Sequence, residues 1–259
     1  MVCSCMVCLR EKGIPCFTMY SAPIREDSIY EVRCGTGAVT FLVAQEQKFE
    51  IISELALISY AKGDFSGSAI KLYTSLERFF EFCQKVVLKE IGLSDSEVST
   101  YWKTIRSSSE RQIGAFLIAK HISEKFGGYA WPEIGKLDDL ARFRNKIVHQ
   151  GFFPDANQTR TFATNILRTI DETSRFLKQH KSDALDNTIS LHSKQIFSEA
   201  RSRAERELKD PKLWAVGTVS MALQLSLVRN PGIDIDIDID ALANKALEMD
   251  TVWASGRAP

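Results

Sequence analysis

The residues best suited to chemistry lie in one stretch, Ala141-Arg-Phe-Arg-Asn-Lys-Ile-Val-His-Gln-Gly151. On a helix turning about 100° per residue, Leu137, Leu140, Ala141, Ile147 and Val148 gather on one face, with Arg144 near its centre. A guanidinium in an apolar stripe must be paired or face a cleft, because burying it uncompensated costs several kcal/mol. Asn145 and His149 lie one turn apart and flank the stripe. A permanent cation, an amide and an imidazole thus meet at one edge of a packed helix. Arginine grips two phosphate oxygens in a planar fork and histidine moves a proton near neutral pH, so the trio suits a phosphodiester. The competing reading is structural. In it Arg144 pairs with an acid on a neighbouring helix, Glu77 being the natural one, and His149 caps its own helix.

Cysteines form the second set. Of six in 259 residues, Cys3, Cys5, Cys8, Cys16 and Cys34 fall within the first 34, while Cys83 follows Phe79 and Phe80 on an apolar face and reads as core. They are too sparse for a disulfide scaffold. Cys5-Met-Val-Cys8 has the spacing that lets both sulfurs reach one tetrahedral zinc. Cys34 lies at the turn of a hairpin, and Cys16 or Cys3 has to complete the set without forming a second such pair. Two readings stay open: a structural zinc holding together an appendage with little core, or free thiols in a small β-element.

Periodicity supplies the elements that must position these groups. Ile29–Arg33 and Val39–Val43 read as antiparallel strands joined by the turn Cys34-Gly-Thr-Gly-Ala. After about residue 45 helical spacing takes over. Helices are expected over about 47–62, 66–91, 109–125, 137–150 and 159–181, with a short one after Ser94 as N-cap. Phe126-Gly-Gly-Tyr-Ala-Trp-Pro reads as a loop, with Trp131 anchoring it. Residues 182–187 read as a polar linker, 192–209 as a charged helix and 213–228 as an apolar helix. Ile233-Asp-Ile-Asp-Ile-Asp-Ile-Asp alternates with period two, as an edge strand or a low-complexity tail.

Lys+Arg and Asp+Glu both number 33, so binding nucleic acid by overall charge is excluded, although a local basic patch is not. A hydrophobic share of 44% builds a core and excludes wholesale disorder. No apolar run has membrane-spanning length, and the N-terminus lacks the basic-then-apolar order of a secretory signal, so a cytoplasmic protein with no membrane partner is expected.

Arg144-Asn-Lys-Ile-Val-His149 resembles the Arg-x4-6-His signature of HEPN domains, small helical bundles common in prokaryotic toxins and defence systems. A polar residue directly after the arginine is usual in active members, and Asn145 matches. The helical layout over about residues 46–181 agrees: two long helices, the motif helix, then another long one. The resemblance implies a mainly α protein. Outside its reach the expected organisation adds a Cys-bearing β-hairpin element at 1–44 before the HEPN-like bundle at 45–181, and a helical extension with an acidic and apolar tail at 182–259 after it. The resemblance also implies metal-independent cleavage of RNA through attack of the ribose 2′-hydroxyl on the adjacent phosphate. His149 would be the general acid/base, Arg144 the stabiliser of the charged phosphorane and Asn145 an orienting group, with Glu77 behind them. No cofactor would take part in catalysis. Members of the family build the site across a homodimer, and a toxin or phage-defence role would bring an antitoxin or defence-system partner. Other members are non-catalytic adaptors that bind a nucleotide or a protein, which is the alternative.

Overall fold

The computed structural model describes residues 2–14, 16–19, 24–134, 137–219 and 238–255, and at 2–4, 17–19, 219 and 249–255 the backbone alone. It is mainly α, with a small sheet near the N-terminus. The described residues fall into two compact units, one of 1–46 with 189–219 and 248–255, the other of 47–188 with 238–247.

The first unit starts with β1 (Val2–Ser4), the short helix α1 (Met6–Lys12) and β2 (Phe17–Met19), β1 and β2 pairing antiparallel with Ser4 opposite Phe17. β3 (Ile29–Arg33) and β4 (Val39–Ala44) form the expected hairpin, closed by Cys34 N–H donating to Ala38 O at 3.0 Å. Every residue of β4 is buried, which marks a central strand rather than an edge.

The second unit begins with α2 (Lys48–Ala61), followed by α3 (Phe65–Glu90), α4 (Asp95–Ile105), α5 (Ser109–Gly127), α6 (Leu137–Gln150) and α7 (Ala156–His180). The caps explain the boundaries. Ser94 and Asp155 each close a capping box, with Glu97 and Gln158 respectively, and Ser108 caps α5. α3 is the central helix. Its Leu72, Leu76, Phe79, Phe80, Cys83 and Val86 are buried, and Phe80 stacks on Phe116 of α5 at 4.2 Å. Trp131 anchors its loop as expected, its Nε1–H donating to Ser123 at 3.1 Å and its ring packing on Phe176 at 4.9 Å.

The last third departs from the sequence reading in three places. Residues 182–187 are no linker but the first turns of α8 (Ser182–Glu207), with Leu185 fully buried. The apolar segment from 213 opens as a strand, β5 (Trp214–Val219), rather than a helix, and pairs in parallel with β4 to give the order β3-β4-β5. Residues 220–228 lie outside the described residues. So does the Ile-Asp alternation except for its end, where Ile239 and Asp240 open α9 (Ile239–Ser255). The described residues of 182–259 are shared between the units: 189–219 and 248–255 belong with the N-terminal one, 182–188 and 238–247 with the helical one. Among the described residues no helix is long and apolar enough to cross a membrane.

Candidate functional site

On α6 the buried face is narrower than the sequence suggests. Leu140 and Ile147 are buried and Phe143 half-buried, the last tilted on Phe162 at 4.7 Å. Val148, placed in the stripe by spacing, is 48% exposed. Arg144 sits beside this face and turns towards α3, which carries Tyr73 and Glu77 one helical turn apart and hence on one side. Its Cζ lies 4.7 Å over the Tyr73 ring, and its Nη2 donates to Glu77 Oε1 at 3.4 Å. Nη1 donates to Asn145 Oδ1 at 2.7 Å. Ser109, the first residue of α5, donates to the same Glu77 oxygen. Three helices thus converge on one guanidinium, whose side chain is 22% exposed. Burial raises the Tyr73 phenol above its ordinary value, with Ser109 opposing and Glu77 adding to the rise. The ring therefore stays neutral at physiological pH and offers its electron-rich face to the cation.

Arg144, Asn145 and Glu77 come together, and His149 does not join them. It is exposed in the last turn of α6, one turn beyond Asn145, and its side chain has no hydrogen-bond partner among the described residues. Two of the five guanidinium donors are engaged and the rest have no partner among the described residues, so the cation is oriented without being saturated. Gly151-Phe-Phe-Pro follows at once. Phe152 packs edge-on against Phe143 at 6.1 Å, whereas Phe153 is 86% exposed. Of the basic residues near this helix, Arg142 pairs with Asp139 and Arg175 with Asp171.

The second site lies in the sheet unit. Sγ atoms of Cys5, Cys8, Cys16 and Cys34 all lie within 4.8 Å of one another, an arrangement able to hold a metal ion. Cys5 is the N-cap of α1 and Cys8 sits in its first turn, so the Cys8 N–H points at Cys5 Sγ, 3.5 Å away. Cys16 arrives because β2 runs back along β1: Cys5 N–H donates to Cys16 O at 2.8 Å. Cys34 arrives from the β3–β4 turn. Sulfurs bonded to a tetrahedral zinc at about 2.3 Å stand about 3.8 Å apart. Cys8 lies 3.4 Å from Cys16 and 3.9 Å from Cys34. Cys16, one of the two candidates for the fourth ligand, is in the cluster. The side chain of Cys3 lies outside the described residues.

Hydroxyls that spacing could not reveal surround the sulfurs. Thr36 Oγ1 lies 2.9 Å from Cys34 Sγ, and Thr40 Oγ1 donates to Cys5 Sγ at 3.8 Å. Burial works to raise the Cys34 thiol, but hydrogen bonds from the Thr36 side chain and backbone and from Cys5 and Cys16 outweigh it and bring it down to about 6. Cys16, donating to Cys8 and partly desolvated, is pushed up to about 12. A thiolate at Cys34 is a nucleus for a cation.

Comparison with family models, with curated proteins and with solved structures finds no match for this chain.

Proposed function

We propose that the chain is a metal-independent endoribonuclease of the HEPN type, a cytoplasmic toxin or phage-defence effector. The observation carrying this reading is the presentation of Arg144, held in place by Tyr73, Glu77 and Asn145 with donors to spare, one turn and a half before an exposed His149. In the reaction the ribose 2′-hydroxyl attacks the adjacent phosphorus and the 5′-oxygen leaves, giving a 2′,3′-cyclic phosphate. Arg144 meets the charge that grows on the non-bridging oxygens, Asn145 fixes the guanidinium, and His149 moves a proton. One chain offers a single imidazole, while cleavage gains from a base and an acid on opposite sides of the phosphate. A two-fold dimer supplies both. The test is incubation of total cellular RNA in EDTA with wild type beside His149→Ala: cleavage by the first alone supports the reading, and cleavage by neither or both overturns it.

The Arg144–Glu77 pair favours a second reading, a non-catalytic HEPN adaptor in which that ion pair joins α6 to α3. Such a protein binds a nucleotide or a partner without cutting RNA.

For the thiol centre we propose a structural zinc on Cys5, Cys8, Cys16 and Cys34. The fit rests on the four-sulfur donor set and on hydroxyl and amide donors suited to thiolates. The ion would tie α1, β2 and the β3–β4 turn together and take no part in cleavage.

A further inference from the structure

In the sheet unit the end of α8, the loop after it, β5 and Arg10 of α1 border an open groove of about 910 Å³. Its floor is apolar, with Phe197, Leu208, Trp214 and Val216 also packed against the core of Ile29, Val39 and Phe41. The Trp214 indole, half-buried, is thereby held by the core while it lines the groove. The walls carry Arg10, Arg201 and Lys209 against one carboxylate, Glu205. Arg201 bonds that carboxylate at 2.9 Å. Arg10 donates from Nη2 to the carbonyls of Lys212 at 2.7 Å and Pro211 at 3.3 Å. Those acceptors are neutral: they fix the guanidinium and leave its charge uncompensated. Lys209 has no partner among the described residues.

A fixed aromatic face beside three cations, of which Arg201 alone is paired with a carboxylate and that on the exposed surface, matches a ligand that alternates flat bases with phosphates. We propose that this groove docks single-stranded RNA, one base against Trp214 and the flanking phosphates on Arg10, Arg201 and Lys209. An acidic peptide would satisfy the cations but has no use for the indole, and a purely apolar ligand would leave the cations idle. The inference rests on the ribonuclease reading for its choice of RNA, and it concerns where substrate is held, not how it is cut.

The test measures binding apart from cleavage. Fluorescence polarisation with a 5′-labelled 12-nucleotide RNA is read on full-length His149→Ala protein, then with Arg201→Ala and Lys209→Ala added together, and separately with Trp214→Leu. Both cation positions are surface groups, and an unchanged melting temperature verifies the fold of each variant. The cation variant should bind about tenfold more weakly near 0.1 M salt, with the slope of log K against log salt reduced by about 1.4, roughly 0.7 per lost phosphate contact. Trp214→Leu should weaken binding with little change in that slope. Unchanged affinity in both variants overturns the groove, and if wild type still cuts RNA the ribonuclease reading survives alone. Weakened binding in a protein that never cuts RNA supports the groove and overturns the ribonuclease. A glutamate oligomer that displaces the RNA at equal charge concentration overturns the assignment to RNA.

Discussion

The guanidinium of Arg144 lies 4.7 Å above the ring of Tyr73, a tyrosine almost wholly buried in the bundle. The ring beneath the cation and the hydrogen bonds to Glu77 and Asn145 together hold the fork in position. An anion arriving from solvent therefore meets donors already aimed, and the entropy of ordering a long side chain is not lost at the moment of binding.

Arg144→Lys should impair RNA cleavage almost as much as Arg144→Ala, by about 10²-fold or more in initial rate. Lysine keeps the charge but loses the planar fork that engages Glu77 and Asn145 at once. A lysine variant that retains most activity, beside an alanine variant that only melts earlier, would establish the structural ion pair instead.

Glu77→Gln should lower the stability of the helical unit by about 1–2 kcal/mol, read as an earlier thermal transition. The amide still accepts from Ser109, so the loss isolates the charge on Arg144. Indistinguishable melting curves would mean that the 3.4 Å contact contributes nothing.

Purified without chelator or reductant, the protein should carry about one zinc per chain, and Cys16→Ser should lose it. Binding must expel the proton that Cys16 holds up to about 12, so apparent affinity rises with pH across the neutral range. Cys34, already a thiolate above about 6, steepens that dependence only below this point. Competition with a chromophoric chelator at several pH values reads both slopes. Absence of metal by elemental analysis ends the idea, and metal loss should leave the cleavage chemistry intact.

Phe153→Asp should convert a dimer into monomers in gel filtration with light scattering, and abolish cleavage while helical content stays unchanged. Phe153 and Val148 expose apolar surface on either side of His149, where a two-fold contact would bring two imidazoles to one phosphate. A monomeric wild type that cuts RNA at full rate would sink the shared site.

The helices were legible because their punctuation is local. Ser94 as a cap and the apolar spacing of α3 are visible within a few residues. β5 was not, because Trp-Ala-Val-Gly-Thr-Val becomes a strand only beside β4, which is remote in the chain. Residues 182–187 looked like a linker since the charges of Asp183 and Asp186 mask a single buried Leu185. In the site, spacing alone paired Arg144 with Glu77. Tyr73 stayed hidden among the apolar residues of α3, and Ser109 offered no periodic signal at all. The arrival of Cys16 at the cluster required the β1–β2 pairing, which only the fold supplies.

Strand β4 finds its second neighbour only when β5 arrives, after the 47–188 stretch of the helical unit has been made. During synthesis the hairpin leaves the ribosome with one side of a strand destined for full burial unpaired, an edge open to the wrong partner. The helical stretch of 47–188 is nearly continuous in sequence and can close first, its contacts being short in chain separation. The thiol-bearing unit is then the late and vulnerable one, and truncation anywhere before residue 214 would leave a nascent chain prone to aggregate.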